Sequence, residues 1–198
     1  MTLFQLLMLG ASAFFAYKIY EHIQTLKDPD GLQEESAQEG NERYMSVNHL
    51  IEDADAAMQK GDLQKALAIY SEANIKAPKD AETLFKMGYV LAEQNRDDEA
   101  LEYYKEAVEL APENTYIHQA MASLYRKMGE FASARNHLNS SLQLDAKNPI
   151  TYYNYGNLLV DMKHSQEAKM MYQKALELDS DFKEAKEELT KLEQGESA

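Results

Sequence analysis

The chain has 198 residues, a formal net charge of −14 and no cysteine. The lack of thiols excludes disulfide frameworks, thiolate zinc sites and cysteine nucleophiles, and the acidic balance argues against nucleic acid, whose phosphate backbone selects a basic face. The length suits one domain with an extended core plus accessory segments, and the acidity is densest early: residues 1–27 carry +1, 28–46 carry −5, 47–180 carry −7 and 181–198 carry −3.

From Leu3 to Tyr17 the sequence reads LFQLLMLGASAFFAY, with Gln5 and Ser12 its clearly polar side chains and no charge before Lys18. At about 1.5 Å rise per residue, a helix over residues 2–23 reaches across a hydrocarbon core of roughly 30 Å. Tyr17, Lys18 and Tyr20 then fall at the interfacial end. This segment is expected to be a transmembrane signal-anchor. Lys18 and Lys27 on its C-terminal side, against no Lys or Arg on the other, place the bulk of the chain in the cytoplasm. Two other readings stay open. Ala11-Ser12-Ala13 offers a signal-peptidase-like site, although no basic n-region precedes it and the apolar run continues through Phe14 and Phe15. A buried helix of a soluble domain is the other.

Residues 28–46, DPDGLQEESAQEGNERYMS, combine turn formers, few large apolar side chains and many acids. That composition cannot bury enough surface to order itself, so a flexible acidic linker is expected.

A 34-residue period runs through the remainder. Ala66, Ala100, Ala134 and Ala168 are spaced by it, followed by Tyr70, Tyr104, Leu138 and Tyr172, then by Ala73, Ala107, Ser141 and Ala175. A preceding helix keeps the same register through Leu50, Leu84, His118 and Tyr152, then Asp53, Met87, Met121 and Tyr155, then Ala54, Gly88, Ala122 and Gly156. Small residues let neighbouring helices approach, and the large residue between them fills the space left. Ser46, Asp80, Asn114 and Asn148 are placed to cap each first helix. Gly61, Asn95, Gly129 and Lys163 mark the turn inside each unit, where Gly or Asn suits a left-handed residue and Lys163 is the exception. Pro78 and Pro112 stop second helices.

These residues resemble the tetratricopeptide repeat (TPR) family, whose helix-turn-helix unit has the same length and the same small-large-small pattern. The resemblance implies an all-α superhelix, or solenoid, of four repeats at 47–80, 81–114, 115–148 and 149–180. The chain departs from the family pattern in having no tryptophan, in Asp53 at a usually apolar place, and in Ser141 and Ala146 at the usual alanine and proline. Phe182, Ala185, Leu189 and Leu192 share one face of a further helix at 181–194, suited to capping the array.

No catalytic constellation is visible. The five histidines never fall at helical pair spacing, no phosphate-binding glycine loop occurs, and the carboxylates are spread along helix faces, so neither a metal, a cofactor nor an enzymatic activity is expected. His118 reads as a satisfied histidine of the core or groove edge.

The family resemblance instead implies protein binding along a concave wall built from the first helices. Carried over to this sequence, the wall residues are Asn48, Ile51, Glu52 and Asp55, then Glu82, Phe85, Lys86 and Tyr89. Tyr116, Gln119, Ser123, Arg126 and Lys127 follow, then Tyr153, Asn154, Asn157 and Asp161. Aromatic rings offer large contact area and asparagine can bond a peptide backbone through both its donor and its acceptor. The expected site is therefore Asn48, Phe85, Lys86, Tyr89, Tyr116, Gln119, Arg126, Lys127, Tyr153, Asn154 and Asn157. An alternative use of the aromatics is packing against neighbouring repeats. The terminal-carboxylate clamp of chaperone-binding relatives is absent: its places hold Ile51, Asp55, Lys86, Tyr116 and Ala120, and starting one repeat later gives Phe85, Tyr89, Ala120, Ile150 and Asn154. The expected function is a membrane-tethered adaptor that recruits protein or peptide partners, in layout like anchored repeat proteins of bacterial inner membranes and of mitochondrial import, between which the layout does not choose. The alternative is an exported soluble chaperone-like protein whose first segment is removed.

Overall fold

A computed structural model of the chain describes residues 46–195. The expected transmembrane segment and acidic linker lie outside the described residues. No helix among the described residues is long and apolar enough to cross a membrane. The chain divides into two units after Asn48, and the second, from His49 onward, holds the solenoid.

Nine helices and no strand are present among the described residues. Helix α1 covers residues 46–59. It is followed by α2 (Leu63–Lys76), α3 (Ala81–Glu93), α4 (Asp97–Leu110), α5 (Thr115–Lys127) and α6 (Phe131–Leu144). Then come α7 (Pro149–Asp161), α8 (Ser165–Leu178) and α9 (Lys183–Glu193). The first eight form four hairpins, and α9 packs on α8.

Capping chemistry sets the starts of the first helices. Side-chain oxygens of Asp80, Asn114 and Asn148 accept from the backbone N–H of Thr83, Tyr116 and Ile150 at 2.7, 2.9 and 3.0 Å, satisfying amides that have no partner inside the helix. Ser46, expected in the same role, is itself helical. A cap requires non-helical backbone at the capping residue, so that expectation is corrected. Every hairpin turns through a left-handed residue: Gly61, Asn95, Gly129 and Lys163, with φ of 76°, 58°, 80° and 63°. Lys163 thus takes the same backbone step as the glycines, against the steric preference of an L side chain, because the packing of α7 on α8 demands it.

The recurring small and large residues form the core. Ala66, Ala100, Ala134 and Ala168 are fully buried, as are Tyr70, Leu138 and Tyr172. A Cβ added at Gly88 would stand 2.7 Å from two ring carbons of Tyr104, so the missing side chain lets that ring lie against α3. Gly156 does the same for the Tyr172 ring on α7. Where repeat 3 carries Ser141 in place of alanine, the hydroxyl is not orphaned. It shares a 2.9 Å hydrogen bond with Thr151, which in turn accepts from the Gln119 amide at 2.7 Å. At the end of the array Ala185 and Leu192 of α9 are buried, Leu192 in one cluster with Leu159, Ala168 and Tyr172.

The first helices touch each other as well as their own hairpin partners: α3 meets α5, and α5 meets α7. Helices whose counterparts in successive repeats touch lie on the inner side of a curved stack, so α3, α5 and α7 build one continuous wall.

Candidate functional site

Lys86 on α3 bridges to α1, with its ammonium 2.9 Å from Asp55 and 2.9 Å from Glu82 one turn back. Burial pulls the ammonium down, and the hydrogen bonds to the two carboxylates more than offset it, leaving Lys86 above its ordinary range. Asp55 also accepts from the Tyr70 hydroxyl. Burial, then Asp55, push that phenol well above its usual value.

Further along, Arg126 on α5 pairs with Asp161 on α7 at 2.6 Å, and Lys127 reaches back to Asn95 and Asp97 at 2.9 and 2.8 Å. These bonds tie successive repeats across the wall. Both cations are therefore positioned, and neither is a free charge awaiting a ligand.

The aromatics divide into two groups. Tyr89 and Tyr116 are 42% and 61% exposed. Phe85 is half-buried against Tyr104 at a ring separation of 5.7 Å. Tyr153 is half-buried between Tyr172 and Phe182 at 5.9 and 5.1 Å, so it holds α9 in place with one part and faces outward with the rest. Asn157 accepts from the Tyr172 hydroxyl at 2.7 Å, and Asn154 beside it is half-buried. Asn48 is half-buried on α1, outside the second unit.

Gln119 requires a correction: it is 6% exposed and its amide is spent on Thr151 inside the stack. A first-helix residue that meets a polar position on the next repeat is drawn inward, because a buried hydroxyl left without a partner costs about 1–3 kcal/mol.

Between α3 and α5 the wall opens into a pocket of about 270 Å³, lined by Tyr89, Ala92, Glu93, Tyr104, Ala120, Ser123, Leu124, Arg126 and Lys127. Four of these are the wall residues Tyr89, Ser123, Arg126 and Lys127. Tyr104 and Glu93 were not expected there. Tyr104 follows the core pattern, and its contribution shows only when its partner position, held by an acceptor in repeats 1 and 4, is seen to be Tyr89. Burial, followed by the nearby Tyr89 and Glu93, raises the Tyr104 phenol.

A second contact missed by sequence spacing joins His118 on α5 to His137 on α6, Nδ1 to Nδ1 at 3.1 Å. His118 Nε2 lies 2.9 Å from the Pro112 carbonyl, which can only accept. The neutral pair therefore has His118 donating through Nε2 and accepting at Nδ1 from His137. Burial and the neighbouring His118 hold His137 below the ordinary histidine value. Among the described residues no group of three or more His, Cys, Asp or Glu is arranged to hold a metal.

Comparison with known proteins agrees with this architecture. Tetratricopeptide repeat profiles match residues 57–124, and residues 115–148 and 150–182. RNA polymerase II-associated protein 3 of Xenopus laevis is 28% identical over 158 residues, 76% of this chain and 23% of that protein. The TPR repeat-containing thioredoxin TTL4 of Arabidopsis thaliana is 35% identical over 95 residues, 48% of this chain and 14% of that protein. The chain thus spans less than a quarter of the length of either relative. Among solved structures, the first TPR of Spaghetti (RPAP3) bound to the HSP90 peptide SRMEEVD is 28% identical with a TM-score of 0.54, covering 60% of this chain and 94% of that one. Pseudomonas aeruginosa pilF shares the fold at a TM-score of 0.71 and 20% identity, covering 78% of this chain and 70% of that one. With profiles over more than half its length and helices in the matching order, the chain belongs to the tetratricopeptide repeat family and has its protein-interaction fold.

Proposed function

We propose that the protein is an adaptor that takes partner segments on the wall formed by α3, α5 and α7 and is held at a membrane by its N-terminal segment. The observation that carries the binding role is the open pocket between α3 and α5 with exposed Tyr89 and Tyr116 on the same wall. Exposed aromatic area beside a concavity is what an extended peptide needs for affinity at small entropic cost. Binding of a peptide by a family member supports the same reading.

The partner is proposed not to be read through a terminal carboxylate. Ile51, Tyr116 and Ala120 offer no cation at the clamp places, and Lys86 is already neutralised by Asp55 and Glu82. The membrane role rests on the uncharged run Leu3–Tyr17. A single span in a bacterial inner membrane is the proposed setting, and Lys18 and Lys27 favour the orientation with the repeats on the cytoplasmic side.

Crosslinking and pull-down from intact membranes tests both parts, comparing wild type with Tyr89→Ala/Tyr153→Ala/Asn157→Ala. Loss of partners from the variant, with unchanged circular dichroism, is expected. Partners retained by a folded variant would move the binding surface off this wall. A mature mass lacking residues 1–13 would replace the anchor by an exported soluble protein.

A further inference from the structure

Tyr70, Tyr104 and Tyr172 hold equivalent places on α2, α4 and α8, and the residue fifteen positions earlier on the facing first helix decides what each hydroxyl does. Asp55 accepts from Tyr70, and Asn157 accepts from Tyr172. In repeat 2 the equivalent residue is Tyr89, which is largely outside the core, and the Tyr104 hydroxyl has no hydrogen-bond partner among the described residues. The Tyr104 ring is 2% exposed, and the pocket it lines is the open space beside it. The buried ring thereby presents to the cavity a hydroxyl that solvent can reach and from which no group among the described residues accepts.

The opposite requirement sits on the same pocket. Glu93 is exposed and makes neither a hydrogen bond nor an ion pair among the described residues. The two cations of the lining are already committed, Arg126 to Asp161 and Lys127 to Asn95 and Asp97. Ala92, Ala120 and Leu124 supply apolar lining. The Tyr104 phenol and the Glu93 carboxylate therefore line one pocket with no bonded acceptor or donor from the described residues, beside the hydroxyls of Tyr89 and Ser123.

A primary carboxamide supplies both partners at once. Its carbonyl oxygen accepts from Tyr104 and its NH₂ donates to Glu93, while its methylene stem lies on the apolar residues. A ligand carboxylate would instead meet the Glu93 charge, and a purely apolar side chain would leave both polar groups unsatisfied. Resting on the groove role proposed above, we propose that the pocket between α3 and α5 receives the side chain of a glutamine or asparagine from an extended partner segment.

The test is selection of random displayed peptides on the full-length chain. Affinities of the selected peptides are then measured for wild type, Tyr104→Phe, Glu93→Gln and the triple variant Tyr89→Ala/Tyr153→Ala/Asn157→Ala. Selected peptides are expected to share Gln or Asn at one position, and replacing it by Glu should weaken binding to wild type roughly ten-fold. Glu93→Gln should abolish that penalty. Tyr104→Phe should weaken the amide peptides roughly five- to ten-fold with an unchanged melting temperature. Peptides that lose binding to the triple variant yet share no amide, or ignore both Tyr104→Phe and Glu93→Gln, overturn the carboxamide assignment and leave the groove standing. Peptides that bind the triple variant as well as wild type, or failure to select any, overturn both.

Discussion

The Tyr172 hydroxyl donates to Asn157 across the fourth hairpin at 2.7 Å, from a ring that is fully buried. The hydroxyl and the Asn157 carbonyl are thereby satisfied within the protein, so Asn157 braces α7 on α8 and keeps only its NH₂ for the partner contact proposed above. Removing the hydroxyl leaves the ring packing intact but deletes this bond. Tyr172→Phe is expected to lower unfolding free energy by about 1 kcal/mol. Tyr104→Phe, whose hydroxyl has no such partner, is expected to change it by a few tenths at most. Urea titrations of the two variants in parallel check the contrast, and equal losses would refute it.

Gly156 and Tyr172 make the second case. A methyl at Gly156 would overlap the ring of Tyr172, itself held by Tyr153 and Leu192. Helix propensity favours Gly156→Ala by about 1 kcal/mol, whereas forcing extra volume into a packed site costs about 1–3 kcal/mol. A net loss of about 1 kcal/mol is expected. Repeat 3 pairs Ala122 with Leu138 at the corresponding places, so adding Tyr172→Leu should make the alanine less costly than it is alone. A double-mutant cycle by thermal unfolding measures that coupling.

Lys163 adopts φ of 63° at a turn where repeats 1 and 3 use glycine. The left-handed region costs an L residue about 1–2 kcal/mol, and glycine gives part of that back as greater freedom in the unfolded chain. Lys163→Gly is expected to stabilise by about 0.5–1 kcal/mol, read as a raised melting temperature. A lowered one would mean that the lysine side chain contributes more than its backbone costs.

The histidine pair sets a pH dependence. His137 is held below its ordinary value in the folded state, so on acidification the unfolded chain binds its proton first. The stability it contributes is complete above the unfolded histidine value of about 6.5 and is lost as pH falls below that. Protonating His137 also puts a charge beside the Nδ1 of His118. Relative to a His137→Gln variant, wild type is expected to lose stability between about pH 7.5 and about pH 5.5. A difference that stays flat over this range would exclude the mechanism.

Most of the solenoid can be read from the sequence because its determinants are local or strictly periodic. Asp80, Asn114 and Asn148 act on amides within three residues, and the recurring alanines need only the 34-residue register to be recognised. Lys163 was an apparent break in the pattern whose backbone nonetheless obeys it. The wall was less legible. Gln119 shares a register with the half-buried wall residues Phe85 and Tyr153, but Thr151, on the next repeat, turns it fully inward. Tyr104 looks like core in any alignment of the repeats; its role in the pocket depends on Tyr89 making no hydrogen bond to it, unlike Asp55 and Asn157 in repeats 1 and 4. His118 and His137 meet across a hairpin at a spacing that no single-helix rule tests. Such pairwise relationships between elements are invisible to a period.

The chain of Gln119, Thr151 and Ser141 joins α5, α7 and α6 through groups that are all buried. A stack of repeats ordinarily lets its end units open independently, since each contacts only its neighbours. Here, peeling α7 away strands an amide and a hydroxyl in the interior, so the third and fourth hairpins are coupled in opening. Amide protons of α5 to α8 should then exchange with solvent as one block, slower than an array without this polar seam allows. The consequence is a wall whose far half keeps its curvature as a unit.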